Sequence, residues 1–125
     1  MSGVGELRFK SANTIVYCKR WKETVAFYQQ HLGLPITFST DWFVEFRLAD
    51  VAHLSVADEA RASIKSSSGQ GLTLALQVDN AETAWQQLQD LGLRPQPLRD
   101  HAWGARAFYL FDPEGHRLEI WSPNK

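Results

Sequence analysis

Of the four histidines and fourteen acidic residues in this 125-residue chain, His53 and Glu119 are the candidates for acid–base catalysis. Glu119 would act as a general base once partial burial raises its pKa; the alternative is a carboxylate paired with Arg106 or Arg117. His53 is either a base or ligand in a cleft or a histidine hydrogen-bonded within a sheet. Arg106 can hold a carboxylate or phosphate, or stack on Trp121. Five tryptophans and seven phenylalanines are a heavy aromatic load for this length. Trp42, Trp103 and Trp121 fall in strand or loop contexts rather than at helical core spacing, which suits the wall of a ligand cavity.

These residues must be positioned by short elements. The β-branched run Thr14-Ile15-Val16 within 13–18 predicts a strand, and apolar spacing at Val25, Tyr28 and Leu32 predicts a helix over 21–32. Gly33 would close that helix. Strands are expected at 36–39, 43–48 and 52–56. An Ala-, Ser- and Gly-rich connector follows up to Gly71. The pattern then restarts with a strand at 72–78, a helix at 81–91 capped by Asp79 or Asn80, and an edge strand at 94–98 weakened by Pro95 and Pro97. A final hairpin joins 106–111 to 117–121 around Asp112-Pro113-Glu114-Gly115. Residues 1–10 read as a mobile or edge segment, and 99–104 as a loop in which His101 could belong to a lid.

The restart is an internal repeat. Glu23-Thr24 and Leu32-Gly33-Leu34 match Glu82-Thr83 and Leu91-Gly92-Leu93, both at an offset of 59. One domain of two modules follows: module 1 over about 8–58, a connector at 59–71, and module 2 over about 72–123.

Strand alternation then assigns faces. With the apolar residues on the helix side, the opposite faces carry Asn13, Tyr17, His53, Ser55, Thr73, Gln77, Glu119 and Trp121. A hairpin closing symmetrically about Pro113-Glu114 would set Phe108 opposite Glu119 and Arg106 opposite Trp121, adding both to that set. Aromatic walls with a few polar groups are the usual make-up of a small-molecule site.

Composition excludes several classes. Thirteen basic and fourteen acidic residues leave a net charge of -1, against a dedicated nucleic-acid binder. No apolar run approaches the ~20 residues needed to cross a bilayer, and no apolar leader precedes residue 8. Cys18 is the one cysteine, so no internal disulfide is possible. A cytoplasmic protein without membrane contact is expected.

The segments Phe27-Tyr28-Gln29-Gln30-His31-Leu32-Gly33-Leu34 and 103–120, with Asp112-Pro113-Glu114-Gly115-His116 at its centre, resemble the vicinal oxygen chelate superfamily, the glyoxalase/bleomycin-resistance/dioxygenase family. The resemblance covers about residues 13–123. It implies an α+β, glyoxalase-like fold of two βαβββ modules, whose curved mixed sheets surround a cleft, usually in a homodimer. In metal-using members a divalent ion is held from four equivalent strands. Counting along the strands carries those positions to Asn13, His53, Thr73 and Glu119. His53 and Glu119 are good ligands, Asn13 is a weak one and Thr73 a poor one, so the expectation is no metal or a weakly bound one. Three functions follow from this reading. The first is binding or sequestering a planar, apolar compound. The second is a metal-dependent glyoxalase-type lyase or isomerase using His53 and Glu119, and the third is a scaffold with an empty cleft.

Overall fold

A computed structural model describes residues 7–124; residues 1–6, part of the expected edge segment, lie outside the described residues. The chain divides into two compact units between Ser66 and Ser67, inside the connector.

The first unit contains β1 (Ala12–Cys18), α1 (Trp21–Ala26), β2 (Ile36–Ser39), β3 (Phe43–Ala49) and β4 (Ala52–Asp58). Its sheet has the order β1-β4-β3-β2, with β1 parallel to β4 and the other pairs antiparallel. The helix side of the sheet is the core. Val16, Cys18, Phe46, Leu54 and Val56 are buried there beneath Phe27 and Tyr28, and the Tyr28 ring lies 6.0 Å from that of Phe46. Trp21 joins helix to sheet by donating its Nε1–H to the Val56 carbonyl at 2.8 Å.

The second unit repeats this order with β5 (Thr73–Gln77), α2 (Ala81–Asp90), β6 (Arg99–His101), β7 (Ala105–Phe111) and β8 (Arg117–Pro123), arranged β5-β8-β7-β6. Leu74, Phe108, Leu110, Leu118 and Ile120 fill its core. Asn80 caps α2 by accepting from the Thr83 N–H at 3.0 Å, and Ser122 Oγ accepts from the Ala81 N–H at 2.9 Å.

Three expectations are corrected. The first helix is α-helical only through Ala26; Phe27–His31 form a π-helical segment, with the Leu32 N–H on the Phe27 carbonyl at 3.0 Å. The helices start 60 residues apart, at Trp21 and Ala81, yet Gly33 and Gly92, which follow them, are 59 apart. The first module therefore holds one extra residue. The closing bond of α2 runs from Leu93 N–H to the Leu88 carbonyl at 3.1 Å, and that of the first module from Leu34 N–H to Tyr28 at 3.0 Å. The first spans five residues and the second six, so the wider π turn absorbs the insertion. It also follows that Glu23 and Glu82 match in type but not in place, as third and second residues of their helices.

The expected strand at 94–98 is absent. Arg94 has a positive φ of 55°, and Pro95 and Pro97 have no N–H to give a ladder. The sixth strand forms instead at Arg99–His101, within the stretch read as a loop, and pairs with β7.

The register of the last hairpin is the third correction. Phe108 stands opposite Ile120, Tyr109 opposite Glu119, and Arg106 opposite Ser122. The strands close on the Phe111–Arg117 pair, leaving five residues in the turn, and an odd number shifts the pairing by one from a symmetric two-residue closure. Asp112 builds this turn. Its Oδ1 accepts from the N–H groups of Glu114, Gly115 and His116 at 2.9–3.0 Å, and its Oδ2 is 2.8 Å from His116 Nδ1. Gly115 takes a φ of 101° within this turn, a left-handed conformation that favours glycine. Gly69 packs directly on it: a Cβ at residue 69 would collide with the Gly115 carbonyl.

Candidate functional site

Each sheet turns its core face to a helix and leaves the other face open. On the second sheet the parallel pairing of β5 with β8 sets three rows: Thr73 beside Arg117, Ala75 beside Glu119, Gln77 beside Trp121. Strand β7 adds Phe111, Tyr109 and Ala107 to the same rows. In the first row the Arg117 Nε–H donates to Thr73 Oγ1 at 3.0 Å, and the guanidinium lies 4.5 Å over the Tyr109 ring. In the second row the Tyr109 hydroxyl donates to Glu119 Oε2 at 3.0 Å. That bond, followed by burial and the Glu119 charge, raises the Tyr109 pKa above its ordinary 10.0 and keeps the phenol protonated. The third row opens on aromatic rings. Trp121 meets Trp103 edge to face at 5.7 Å, and the His101 ring lies 5.7 Å from Trp103. Trp103 is 59% exposed.

The turn carrying Trp103 is fixed rather than free. Gly104 N–H bonds the His101 carbonyl at 3.0 Å, and its own carbonyl accepts from Asn124 N–H at 2.8 Å. His101 closes β6 opposite Ala105, so it belongs to the sheet and not to a lid.

The open face of the first sheet is different in kind. Asn13 stands level with His53, Ile15 with Ser55 and Tyr17 with Ala57. Asn13 Oδ1 accepts from Ser55 Oγ at 2.9 Å, its Nδ2 donates to Glu45 Oε2 at 3.3 Å, and Glu45 Oε1 accepts from Thr37 Oγ1 at 2.8 Å. Four polar side chains thus satisfy one another across four strands. His53 is half-buried in the row of Asn13 and Arg47, and Trp42 packs on Phe43 with ring centroids 5.7 Å apart.

Within the first unit, then, Asn13, Tyr17 and His53 share one face; within the second, Thr73, Gln77, Glu119 and Trp121 do, with Trp103 against Trp121. Arg106 and Phe108 do not belong to that set. The hairpin register turns both to the helix side, where Phe108 is fully buried. Arg106 is bound by Asp100 at 2.8 Å and Glu82 at 3.3 Å. The Arg106 bond is the main cause that lowers the Asp100 pKa below 3.8. Nearby, a cavity of about 420 Å³ is lined by Asp79, Asn80, Glu82, Arg106, Ser122 and Asn124. Its Asn80, Arg106 and Ser122 are already committed to the α2 cap and the ion pairs, so it offers a ligand little. Sequence reasoning missed Glu45 and Tyr109. Glu45 was signalled by its place between the core residues Val44 and Phe46; Tyr109 needed the correct register.

The sequence profile of the Glyoxalase/Bleomycin resistance protein/Dioxygenase superfamily matches residues 10–120. The chain belongs to that superfamily. Solved structures share its fold at low identity. A glyoxalase/bleomycin resistance protein/dioxygenase from Nocardioides is 20% identical with a TM-score of 0.77, covering 95% of this chain and 86% of that one. A lactoylglutathione lyase from Agrobacterium tumefaciens is 16% identical with a TM-score of 0.74, covering 89% and 91%. A superfamily member from Sphaerobacter thermophilus is 16% identical with a TM-score of 0.75, covering 93% and 98%. No curated protein matches the chain. Among the described residues no helix is long and apolar enough to cross a membrane.

Metal-using members of such a family raise the question of whether this donor set fits an ion. Matching Asn13 to Thr73, the two parallel registers place His53 in the row equivalent to Arg117, and Ser55 in the row equivalent to Glu119. Ser55, not His53, is the counterpart of Glu119. At these positions the first unit carries an amide and a hydroxyl, and the second a hydroxyl and a carboxylate. Asn13 Oδ1 already accepts from Ser55, and Glu119 from Tyr109. Among the described residues no three His, Cys, Asp or Glu side chains are grouped to hold an ion. Neither pair by itself suits a transition-metal ion such as Zn²⁺, whose sites take three or more nitrogen, sulfur or anionic oxygen donors from the protein.

Proposed function

We propose that this chain binds a small, flat, largely apolar compound on the open face of its second sheet and sequesters it. The observation that carries this reading is the wall formed by exposed Trp103 against Trp121, beside a floor that exposed Ala75 keeps low in the row of Glu119 and Tyr109. Aromatic edges and faces give a flat ligand large contact area, and small floor residues leave it room. Glu119, Tyr109 and Gln77 supply the few polar groups that orient it. The nearly neutral net charge of -1 suits a ligand of low charge.

Tryptophan quenching with neutral naphthalene-2-carboxamide tests the proposal. Saturable quenching should weaken about tenfold in Trp103→Ala, the loss of one stacking wall, and be unchanged in Trp42→Ala on the other unit. Trp103 is mostly exposed, so its removal leaves the core intact. Quenching of undiminished affinity in Trp103→Ala, or quenching that fails only in Trp42→Ala, would overturn the assignment of the face.

A further inference from the structure

We propose that Tyr109 and Glu119 form an acceptor-only anchor on this face, selecting a flat compound whose edge carries N–H donors, amide or amidinium, over one carrying a carboxylate. The inference rests on the reading of the aromatic wall as a binding face and names the chemistry it recognises.

The Tyr109 hydroxyl has one proton, and it is already donated to Glu119 Oε2. What the pair then shows a ligand is the remaining phenol lone pair and the carboxylate, all acceptors. Among the described residues no other hydrogen bond reaches Glu119. A half-buried carboxylate with spare acceptor capacity is best completed by a donor, and charge-assisted bonds of this kind are the stronger ones.

Position supports the same choice. Glu119 and Trp121 are two residues apart on one face of β8, roughly 7 Å along the strand, which is about the length of two fused aromatic rings. A compound lying against Trp121 therefore brings one edge to the Glu119–Tyr109 pair. The cation that could instead welcome a carboxylate, Arg117, lies one row further from the tryptophans. It is held there by Thr73 and by stacking on the Tyr109 ring.

The test compares naphthalene-2-carboxamidine, naphthalene-2-carboxamide and 2-naphthoate by tryptophan quenching of the intact protein. The amidine should bind at least about tenfold tighter than the naphthoate, with the amide between them, and Glu119→Gln should bring the three within about threefold. Glu119→Ser, the residue that stands at the equivalent position in the first sheet, is the second variant, and near-ultraviolet circular dichroism checks the fold of both. Equal binding of all three compounds, or a preference that persists in both variants, overturns this inference and leaves the proposed function standing. A preference for the naphthoate also overturns it and transfers the anchor to Arg117. Absence of quenching by any of the three overturns both readings together.

Discussion

The two units use one strand order, β1-β4-β3-β2 and β5-β8-β7-β6, and differ in what they place on the face that no helix covers. In the first, Thr37, Glu45, Asn13 and Ser55 hydrogen-bond one another in a chain across the sheet. In the second, the hydrogen bonds run in two separate pairs, Arg117 with Thr73 and Tyr109 with Glu119, and the Trp103 and Trp121 rings stand at the end of the face. A face whose donors and acceptors are mutually satisfied gains little from a ligand, because any new bond must replace an existing one. A face with exposed aromatic area and unfilled acceptors gains both burial and hydrogen bonds. The repeat supplies the scaffold twice, with a hydrogen-bonded chain of side chains on one copy and a tryptophan pair near a carboxylate on the other.

In their cores the two units should behave alike. Phe46 and Phe108 are both fully buried, one in each unit. Phe46→Ala and Phe108→Ala should each cost about 3–5 kcal/mol in urea denaturation, the usual range for emptying such a site. A small loss for Phe108→Ala alone would mean that the second unit does not depend on this core.

The hairpin turns should separate the units. The first unit joins β3 to β4 through Asp50 and Val51, whereas the second relies on the Asp112 carboxylate gathering three N–H groups and His116. Asp112→Ala should cost about 3 kcal/mol, because those buried donors lose their acceptor together. Gly69→Ala should cost about 2–3 kcal/mol, since a Cβ there collides with the Gly115 backbone and φ at residue 69 is positive. Asp50→Ala, on an exposed turn, should stay within about 0.5 kcal/mol. Thermal or urea midpoints read all three, and equal effects in Asp50→Ala and Asp112→Ala would erase the distinction.

The smallest effect is a titration. Hydrogen bonding to Glu119 raises the Tyr109 pKa above 10.0, so the bond favours the protonated phenol. Its contribution to stability is complete below pH 10.0 and disappears as pH rises through the raised value. In Glu119→Gln the tyrosinate absorbance should develop at lower pH than in the wild type. An unchanged curve would mean that the carboxylate does not hold this phenol.

The residues explain how far the sequence could be read. The alternation of Thr14, Val16 and Cys18 against Asn13, Ile15 and Tyr17 is a local property of one strand, and it survives in the burial of β1. The same holds for Leu74 and Leu76 in β5. The site residues that depended on one strand alone, Asn13, His53, Thr73, Gln77, Glu119 and Trp121, fall on the open faces where alternation put them. Arg106 and Phe108 depended on pairing between strands, and a single extra turn residue moved both to the helix side. Glu45 was readable from the strand and passed over; Tyr109 was hidden by the register. The π segment could not be read from side-chain spacing, because Val25, Tyr28 and Leu32 satisfy α-helical periodicity and the extra residue appears only when both helix ends are compared.

The superfamily, the two-module repeat and the facing of individual strands were all determined by the order of residues. Each follows from properties that neighbours along the chain share: alternation, capping, turn residues and a motif at fixed spacing. Tertiary structure decided which residues from different strands stand in one row. It made Ser55 the counterpart of Glu119, set Tyr109 beside that carboxylate, placed His101 in a strand and tied Arg106 to Asp100 and Glu82. Hydrogen-bond register is a relation between distant segments, fixed by turn length and by packing against the core, so it is written only in the folded chain.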